Sequence, residues 1–261
     1  MSFSQVGELC YYNFDMFDQP GLVHAVFTRQ GGVSPEPWKS LNLGGLNGDT
    51  KENVVENRRR IFEAVGLPVE SIYDAWQVHG TRVICTGRPR PLDMPHEKAD
   101  AILTNHPQVT LFMRFADCVP ILLYDPIHRV VGLAHAGWQG TLLKIAQITV
   151  ERMSSEYGAD PGEILAAIGP SIGPDHYEIG MDVAEKVNSV FSNDSPKLLL
   201  NREGKVYFDL WQANHFILEM AGIKRIQVAG LCTACHTSAW YSHRAEHGKT
   251  GRFGALIALK E

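Results

Sequence analysis

Three side chains able to bind a transition metal lie far apart in the sequence. His79 stands in Ala75-Trp76-Gln77-Val78-His79-Gly80-Thr81, Cys118 in Ala116-Asp117-Cys118-Val119-Pro120, and His135 in His135-Ala136-Gly137-Trp138. Imidazole nitrogen and thiolate sulfur suit zinc and copper, and three protein ligands leave a tetrahedral ion one position for water or substrate. Cys118 and His135 alone could instead form a nucleophile and its base, as in a cysteine hydrolase. Singly, each residue has a plainer reading, because buried free cysteines behave as small hydrophobes and histidines in strands commonly satisfy core hydrogen bonds.

The chain between Cys118 and His135 brings these two together. Two runs rich in Ile, Leu and Val flank Asp125-Pro126-Ile127-His128, a type I turn signature with Asp first and Pro second. A hairpin centred between Pro126 and Ile127 pairs Tyr124 with Arg129, Leu122 with Val131 and Cys118 with His135. Opposed residues share a face with Cβ atoms about 4.5 to 5.5 Å apart, whereas a slip of one residue would separate them. Pro120 asks for an edge strand or a bulge, and Gly132 could mark a bulge.

Further strands are expected over Leu22 to Thr28, Ser71 to Val83, Ala99 to Thr104, Val109 to Phe115, Ile164 to Ile168, Lys205 to Leu210, Ile226 to Leu231 and Phe253 to Leu259. The spacing predicts a helix capped by Asp49 or Thr50 and running through Ala64, with Val54, Val55, Ile61, Phe62 and Val65 as its buried stripe. Arg58, Arg59 and Arg60 splay over about 200° of that helix, so they cannot share one direction. Helices are also predicted over Leu142 to Tyr157, Asp182 to Phe191 and Leu210 to Ala221. Asn42, in the loop Ser40 to Gly45, is expected to face water, and Thr86 to Lys98 to be irregular. Gly169-Pro170-Ser171-Ile172-Gly173-Pro174 lacks the spacing of a dinucleotide or Walker loop. Strands and helices without strict alternation imply an α+β fold, with mixed β-sheets flanked by helices in a layered α/β sandwich and one domain over 1–261.

The net charge of −5 offers no footprint for polymeric nucleic acid, and no run of about 18 apolar residues is present to span a membrane. The first residues lack a signal-peptide pattern, and five cysteines fit a reducing compartment better than a disulfide framework, so the cytoplasm is the expected location. Two other groups carry potential chemistry. Cys232-x-x-Cys235 resembles half of a zinc site, but the sequence offers no second CxxC pair, and a crowded pair without metal is the expectation. Tyr241-Ser242-His243-Arg244 with Lys249-Thr250-Gly251-Arg252 could bind an anion or could be a solvated basic loop. The residues alone leave three classes open: a zinc enzyme acting on a small molecule, a cysteine-nucleophile hydrolase, and a ligand-binding or metal-sensing protein without catalysis.

The segments Phe27-Thr28-Arg29-Gln30-Gly31-Gly32-Val33-Ser34, Ser40-Leu41-Asn42-Leu43-Gly44, Gln77-Val78-His79-Gly80, Ala99-Asp100-Ala101, Ala116-Asp117-Cys118-Val119-Pro120, His135-Ala136-Gly137-Trp138, Ile168-Gly169-Pro170-Ser171-Ile172 and Thr250-Gly251-Arg252 occur in this order. Together they resemble the YfiH/FAMIN family, long labelled polyphenol oxidase or laccase-domain proteins. The resemblance implies a zinc-dependent purine nucleoside phosphorylase that releases adenine or hypoxanthine from adenosine, inosine and methylthioadenosine using phosphate, with an accompanying adenosine deaminase activity. It also implies His79, Cys118 and His135 as metal ligands, Asp117 or Asp100 as proton-handling groups, and Asn42, Arg58, Gln77, Asp100, Arg244 and Arg252 as substrate contacts. The older label implies copper, but a single His2Cys site cannot store the electrons for reducing dioxygen to water. Some relatives are described as peptidoglycan editing factors. Phe115 and His243 are positions where the chain departs from the family pattern.

Overall fold

The computed structural model describes residues 2–45 and 48–260. In chain order its elements are β1 (Ser2–Val6), β2 (Leu9–Asn13), β3 (Leu22–Phe27), α1 (Lys51–Ala64), β4 (Ile72–Asp74), β5 (Val83–Cys85), β6 (Ala101–Thr104), β7 (Thr110–Phe115), β8 (Val119–Asp125) and β9 (Val130–Ala136). There follow α2 (Trp138–Leu142), α3 (Ile145–Tyr157), β10 (Leu165–Ile168), β11 (Glu178–Ile179), α4 (Met181–Phe191), α5 (Ser195–Leu198), β12 (Leu199–Arg202), β13 (Lys205–Phe208), α6 (Leu210–Met220), β14 (Arg225–Val228) and β15 (Phe253–Leu259). Among the described residues no helix is long and apolar enough to cross a membrane.

Two six-stranded sheets, ordered β1-β2-β3-β15-β7-β4 and β14-β10-β8-β9-β6-β5, form the body, and a small β11-β13-β12 sheet stands beside them. Both large sheets are mixed, since β4 and β7, β5 and β6, and β10 and β14 run parallel while the other pairs are antiparallel. Strands alternate their side chains between faces, so each sheet can feed two cores. Leu111, Phe115 and Ile257 of one sheet meet Ile102, Leu122 and Leu133 of the other. The outer face of the first sheet packs Phe27, Phe112 and Leu256 on Ile61 and Phe62 of α1. The outer face of the second packs Ile121 and Ala134 on Ile145 and Met153 of α3 and Ile217 of α6. The result is a helix, sheet, sheet, helix layering in which every residue of β8, β9 and β15 is buried, hence their unbroken apolar runs.

The central hairpin forms with its register shifted by two residues from the expected one. Val119 pairs with Ala136, Pro120 with His135 and Asp125 with Val130. The cause is a four-residue loop: buried Asp125 accepts the amides of Ile127 and His128 at 2.8 and 3.3 Å, and Arg129 closes the turn at φ 52°. A shift of two preserves the face, because side chains repeat every second residue. Pro120 sits inside a central strand, and its carbonyl accepts the Gly169 amide at 2.8 Å, so the pairing with β10 runs past Ile121 and lacks only the donor that proline does not have, while the Gly169 carbonyl accepts Ser171 Oγ–H at 3.3 Å. Gly132 pairs regularly with Leu123 and makes no bulge; a Cβ there would lie 2.7 Å from Leu103 Cδ2.

Three other expectations change. Ser71 to Val83 is two short strands rather than one, β4 in the first sheet and β5 in the second, and the crossing segment between them carries His79 at φ 60°. The helix expected over Leu142 to Tyr157 breaks at Lys144, whose φ is 58°, into α2 and α3. Helix α1 begins as expected, with Thr50 accepting the Asn53 amide, but Val55 is 56% exposed and Asn57 is buried in its place. The β1–β2 ribbon was not legible, because Ser2–Val6 has no buried residue and so no apolar pattern.

Candidate metal centre

His79, Cys118 and His135 converge, with one ligand atom from each lying within 4.8 Å of the others. Cys118 Sγ is 3.7 Å from His79 Nε2, and the two imidazole rings meet edge to face at 4.8 Å. Asp100, fully buried just before β6, positions both histidines. Its Oδ1 is 2.9 Å from His135 Nδ1, and its two oxygens accept the amides of Val78, His79 and Gly80 at 3.2, 2.9 and 2.7 Å. Its carbonyl also accepts the His135 amide at 2.8 Å. A carboxylate behind a ligating imidazole fixes the ring and leaves its other nitrogen for the ion. Gly137 supplies the remaining space, since a Cβ there would sit 2.8 Å from His79 Cδ2 and 2.9 Å from Cys118 Sγ. The donor set and this cradle fit a bound transition metal.

Cys118 follows Asp117, a left-handed residue at φ 83° whose carboxylate accepts Thr233 Oγ1–H and the Arg244 amide, both at 2.7 Å. Burial would push the Cys118 thiol up, but His135 and His79 outweigh it and bring it down to about 6. Burial works against charge on His135, yet Cys118 and Asp100 raise it to about 9. Asp100 is held below the usual carboxylate range by His135 and the amides of Gly80 and His79, against the effect of its burial. In protein stripped of metal, alkylation of Cys118 is therefore expected to rise through a midpoint near pH 6, about two units below an ordinary thiol. Peptide mapping after iodoacetamide treatment at stepped pH checks this; a midpoint above pH 8 would refute it.

The three residues open into a cavity of about 1220 Å³. Part of its wall is a basic cluster around one carboxylate. Buried Asp74 is contacted by Arg58 at 3.4 Å, Arg90 at 2.8 Å and His96 at 2.9 Å. Arg114 joins this wall, donating to the Ala75 carbonyl at 2.6 Å. Burial would raise Asp74, but His96, Arg58 and Arg114 keep it well below the usual carboxylate range. Burial, with Arg58 beside it, brings Arg114 down to about 10, so it stays charged at neutral pH. Arg58 Nε is buried and, among the described residues, has no hydrogen-bond partner. Trp76, Trp138 and Tyr177 contribute aromatic surface to the same cavity.

The expected substrate contacts divide. Arg58, Gln77, Arg244 and Arg252 line the cavity, as does Asp117. Gln77 is locked across its backbone neighbour, donating to the Arg114 carbonyl at 2.7 Å and accepting its amide at 3.0 Å. Arg244 donates to the Glu178 carbonyl at 2.8 Å and stacks on Tyr177. Asn42 does not face water. It is fully buried and staples the loops, its Oδ1 accepting the Gly44 and Arg252 amides and its Nδ2 donating to Asp49. Phe115 is buried under His135, with ring centroids 5.6 Å apart, while His243 lies on the cavity wall. Sequence reasoning missed Asp74, Arg90, His96 and Arg114. The available signal was Arg114 inside the apolar run Leu111-Phe112-Met113-Arg114-Phe115, since a charge there is costly unless used.

A family model described as "Multi-copper polyphenol oxidoreductase laccase" matches residues 23–260. The chain belongs to this laccase-like family. Within it, a protein of Deinococcus radiodurans named purine nucleoside phosphorylase is 40% identical over 90% of this chain and 88% of its own length. YfiH of Escherichia coli, named likewise, is 34% identical over 92% of this chain and 94% of its own. The crystal structure of YlmD from Geobacillus stearothermophilus superposes with a TM-score of 0.92 at 34% identity, covering 99% of both chains. The family label invokes several coppers, whereas the described residues hold two groups of three or more potential ligands. One is the triad, and the other is Asp175, His176, Cys232 and Cys235. The second group adds to the crowded pair expected at Cys232 and Cys235: Asp175 and His176 arrive from the loop after β10, a juxtaposition no spacing in the sequence announces.

Proposed function

We propose that this protein is a zinc-dependent purine nucleoside phosphorylase acting on adenosine, inosine and methylthioadenosine, with hydrolytic deamination of adenosine in the same cavity. The observation that carries this reading is that a metal triad and a cluster of arginines line a single cavity large enough for a nucleoside and an anion together. The relatives named purine nucleoside phosphorylase support the phosphorylase part of this reading. A multi-copper oxidase would need further histidine-rich sites, and neither donor group offers them.

His79, Cys118 and His135 would hold the ion. Bound there, zinc supplies a Lewis acid with one position open to a substrate oxygen or a water. Arg58, Arg90 and Arg114 would hold phosphate by charge from the cavity lining. The flat faces of Trp76, Trp138 and Tyr177 suit a purine ring. In phosphorolysis a phosphate oxygen bonds to ribose C1′ as the bond to the base nitrogen breaks, and the base leaves with that electron pair and gains a proton. Asp117 and Arg244, coupled through the backbone, shape the wall beside Cys118. The thiol and imidazole also fit a cysteine hydrolase, which would turn over without metal.

Incubation with inosine or adenosine, with and without phosphate, tests the proposal by chromatography of hypoxanthine, adenine and inosine. Release of base only with phosphate is expected, while ammonia release alone would leave only the deaminase. Arg58→Met is expected to raise the phosphate KM by about 10- to 100-fold, the value of a hydrogen bond to a charged group, with metal content unchanged. Asp74 keeps Arg90 and His96 in that variant. An unaltered phosphate KM would move the anion elsewhere.

A further inference from the structure

We infer that Asp175, His176, Cys232 and Cys235 form a second zinc site, structural in character and separate from the triad. The four residues come from two loops, Gly169–Tyr177 after β10 and Ala229–Trp240 after β14. Four of the six distances between their ligand atoms are close to those of a tetrahedron before the ion is placed in it. With Zn–S near 2.3 Å and Zn–N or Zn–O near 2.0 to 2.1 Å, ligand edges come to about 3.5 Å for sulfur to nitrogen or oxygen and about 3.3 Å for nitrogen to oxygen. Here Cys235 Sγ is 3.4 Å from both Asp175 Oδ2 and His176 Nδ1, Cys232 Sγ is 3.8 Å from His176 Nδ1, and His176 Nδ1 is 3.1 Å from Asp175 Oδ2. All four ligand atoms lie within 4.8 Å of one another, so an ion bonded to all of them needs side-chain adjustment alone.

The surroundings suit a thiolate pair. Gly173 donates its amide to Cys232 Sγ at 3.1 Å, and a Cβ on Gly173 would sit 2.7 Å from Asp175 Oδ1 and 3.1 Å from Cys232 Cβ. The two loops are already registered through Ser171 and Thr233, whose amides reach Leu231 and Ser171 carbonyls at 3.2 and 3.1 Å. Both cysteines are free thiols. Cys232 is buried while the other three ligands are exposed, so an ion has a path from solvent. Two sulfurs, one nitrogen and one oxygen in a closed set of four is a structural zinc composition, with no position left for substrate. Binding releases the thiol protons and ties together the loops that carry Tyr177 and Thr233, the latter bonded to Asp117 beside Cys118.

The test uses the full chain carrying Cys118→Ala, so that the triad is disabled, stripped with a chelator and reloaded with zinc or cobalt(II). One equivalent of zinc is expected to remain after gel filtration, and the cobalt form is expected to show tetrahedral visible bands with thiolate charge-transfer absorption. Adding Cys235→Ser is expected to remove that equivalent and the charge-transfer band. Should that variant fail to fold, His176→Gln in the same background is expected to weaken zinc binding at least tenfold. The site is overturned if the Cys118→Ala protein holds no zinc, if zinc persists at one equivalent after Cys235→Ser, if His176→Gln leaves the zinc affinity unchanged, or if mass spectrometry finds the metal-free chain two hydrogens lighter with Cys232 and Cys235 joined.

Discussion

Replacing Cys118 with alanine is expected to strip the metal from the triad and to lower nucleoside turnover by more than about 100-fold, beyond the 10- to 100-fold that loss of an outer partner costs. The reason is the number of donors. Among the described residues the triad offers three ligands and no spare, so removing the thiolate leaves two imidazoles on an ion that prefers four contacts. Asp100→Asn provides the graded comparison. It keeps the shape but takes away the charge that orients His135 and the acceptor that collects three amides of the His79 loop, so a loss within that 10- to 100-fold window is expected. Metal content and kcat/KM measured on the same samples separate the readings. Turnover retained by Cys118→Ala protein that has lost the equivalent of metal held by the triad would defeat the metal mechanism. Full metal content with turnover abolished would instead make Cys118 a nucleophile with His135 as its base.

How much of this was legible beforehand depends on which physical rule each residue obeys. The placement of Cys118 and His135 on one side survived a register error of two residues because face is set by parity, and parity was right even where the loop length was not. His79 was placed in a strand, yet it occupies the crossing between two sheets, where a left-handed backbone turns three successive amides toward Asp100. That geometry comes from a carboxylate 21 residues later, which no local propensity reports. Asn42 was read as solvated because loops usually are, whereas its side chain adds to the one direct bond between two glycine-rich loops, from the Leu43 amide to the Arg252 carbonyl, by accepting the Gly44 and Arg252 amides. Of the basic wall only Arg58 was expected at the substrate, because Arg58, Arg90 and Arg114 come from a helix, an irregular loop and a strand, and only the packing of α1 beside β4 and β7 assembles them.

That wall gives the other large effect. Asp74→Asn is expected to destabilise the fold by about 3 to 5 kcal/mol, the cost of removing one partner from a buried ionic group, or roughly 6 to 20 °C in melting temperature for a chain of this size. The substitution is nearly isosteric, so packing is preserved and charge is what changes. Arg90 and Arg58 then remain beside a neutral amide, and Asp74 itself has no exposed surface through which water could compensate. The sign of the pH dependence follows. Since the folded carboxyl lies below its ordinary value, its contribution is present above the unfolded value of about 3.9 and is lost as pH falls below it. The wild-type acid limb should therefore be steeper than that of the variant below about pH 4, and urea melts between pH 2 and 5 check the difference. Phosphate provides the sharper discrimination. If the arginines bind an anion, millimolar phosphate should restore more stability to Asp74→Asn than it adds to the wild type, because a ligand that binds only the folded chain stabilises it in proportion to its affinity, and the variant lacks the internal anion that competes. Equal increments in the two proteins would mean that Asp74 and its arginines serve the fold alone, and that phosphate must be held elsewhere in the cavity.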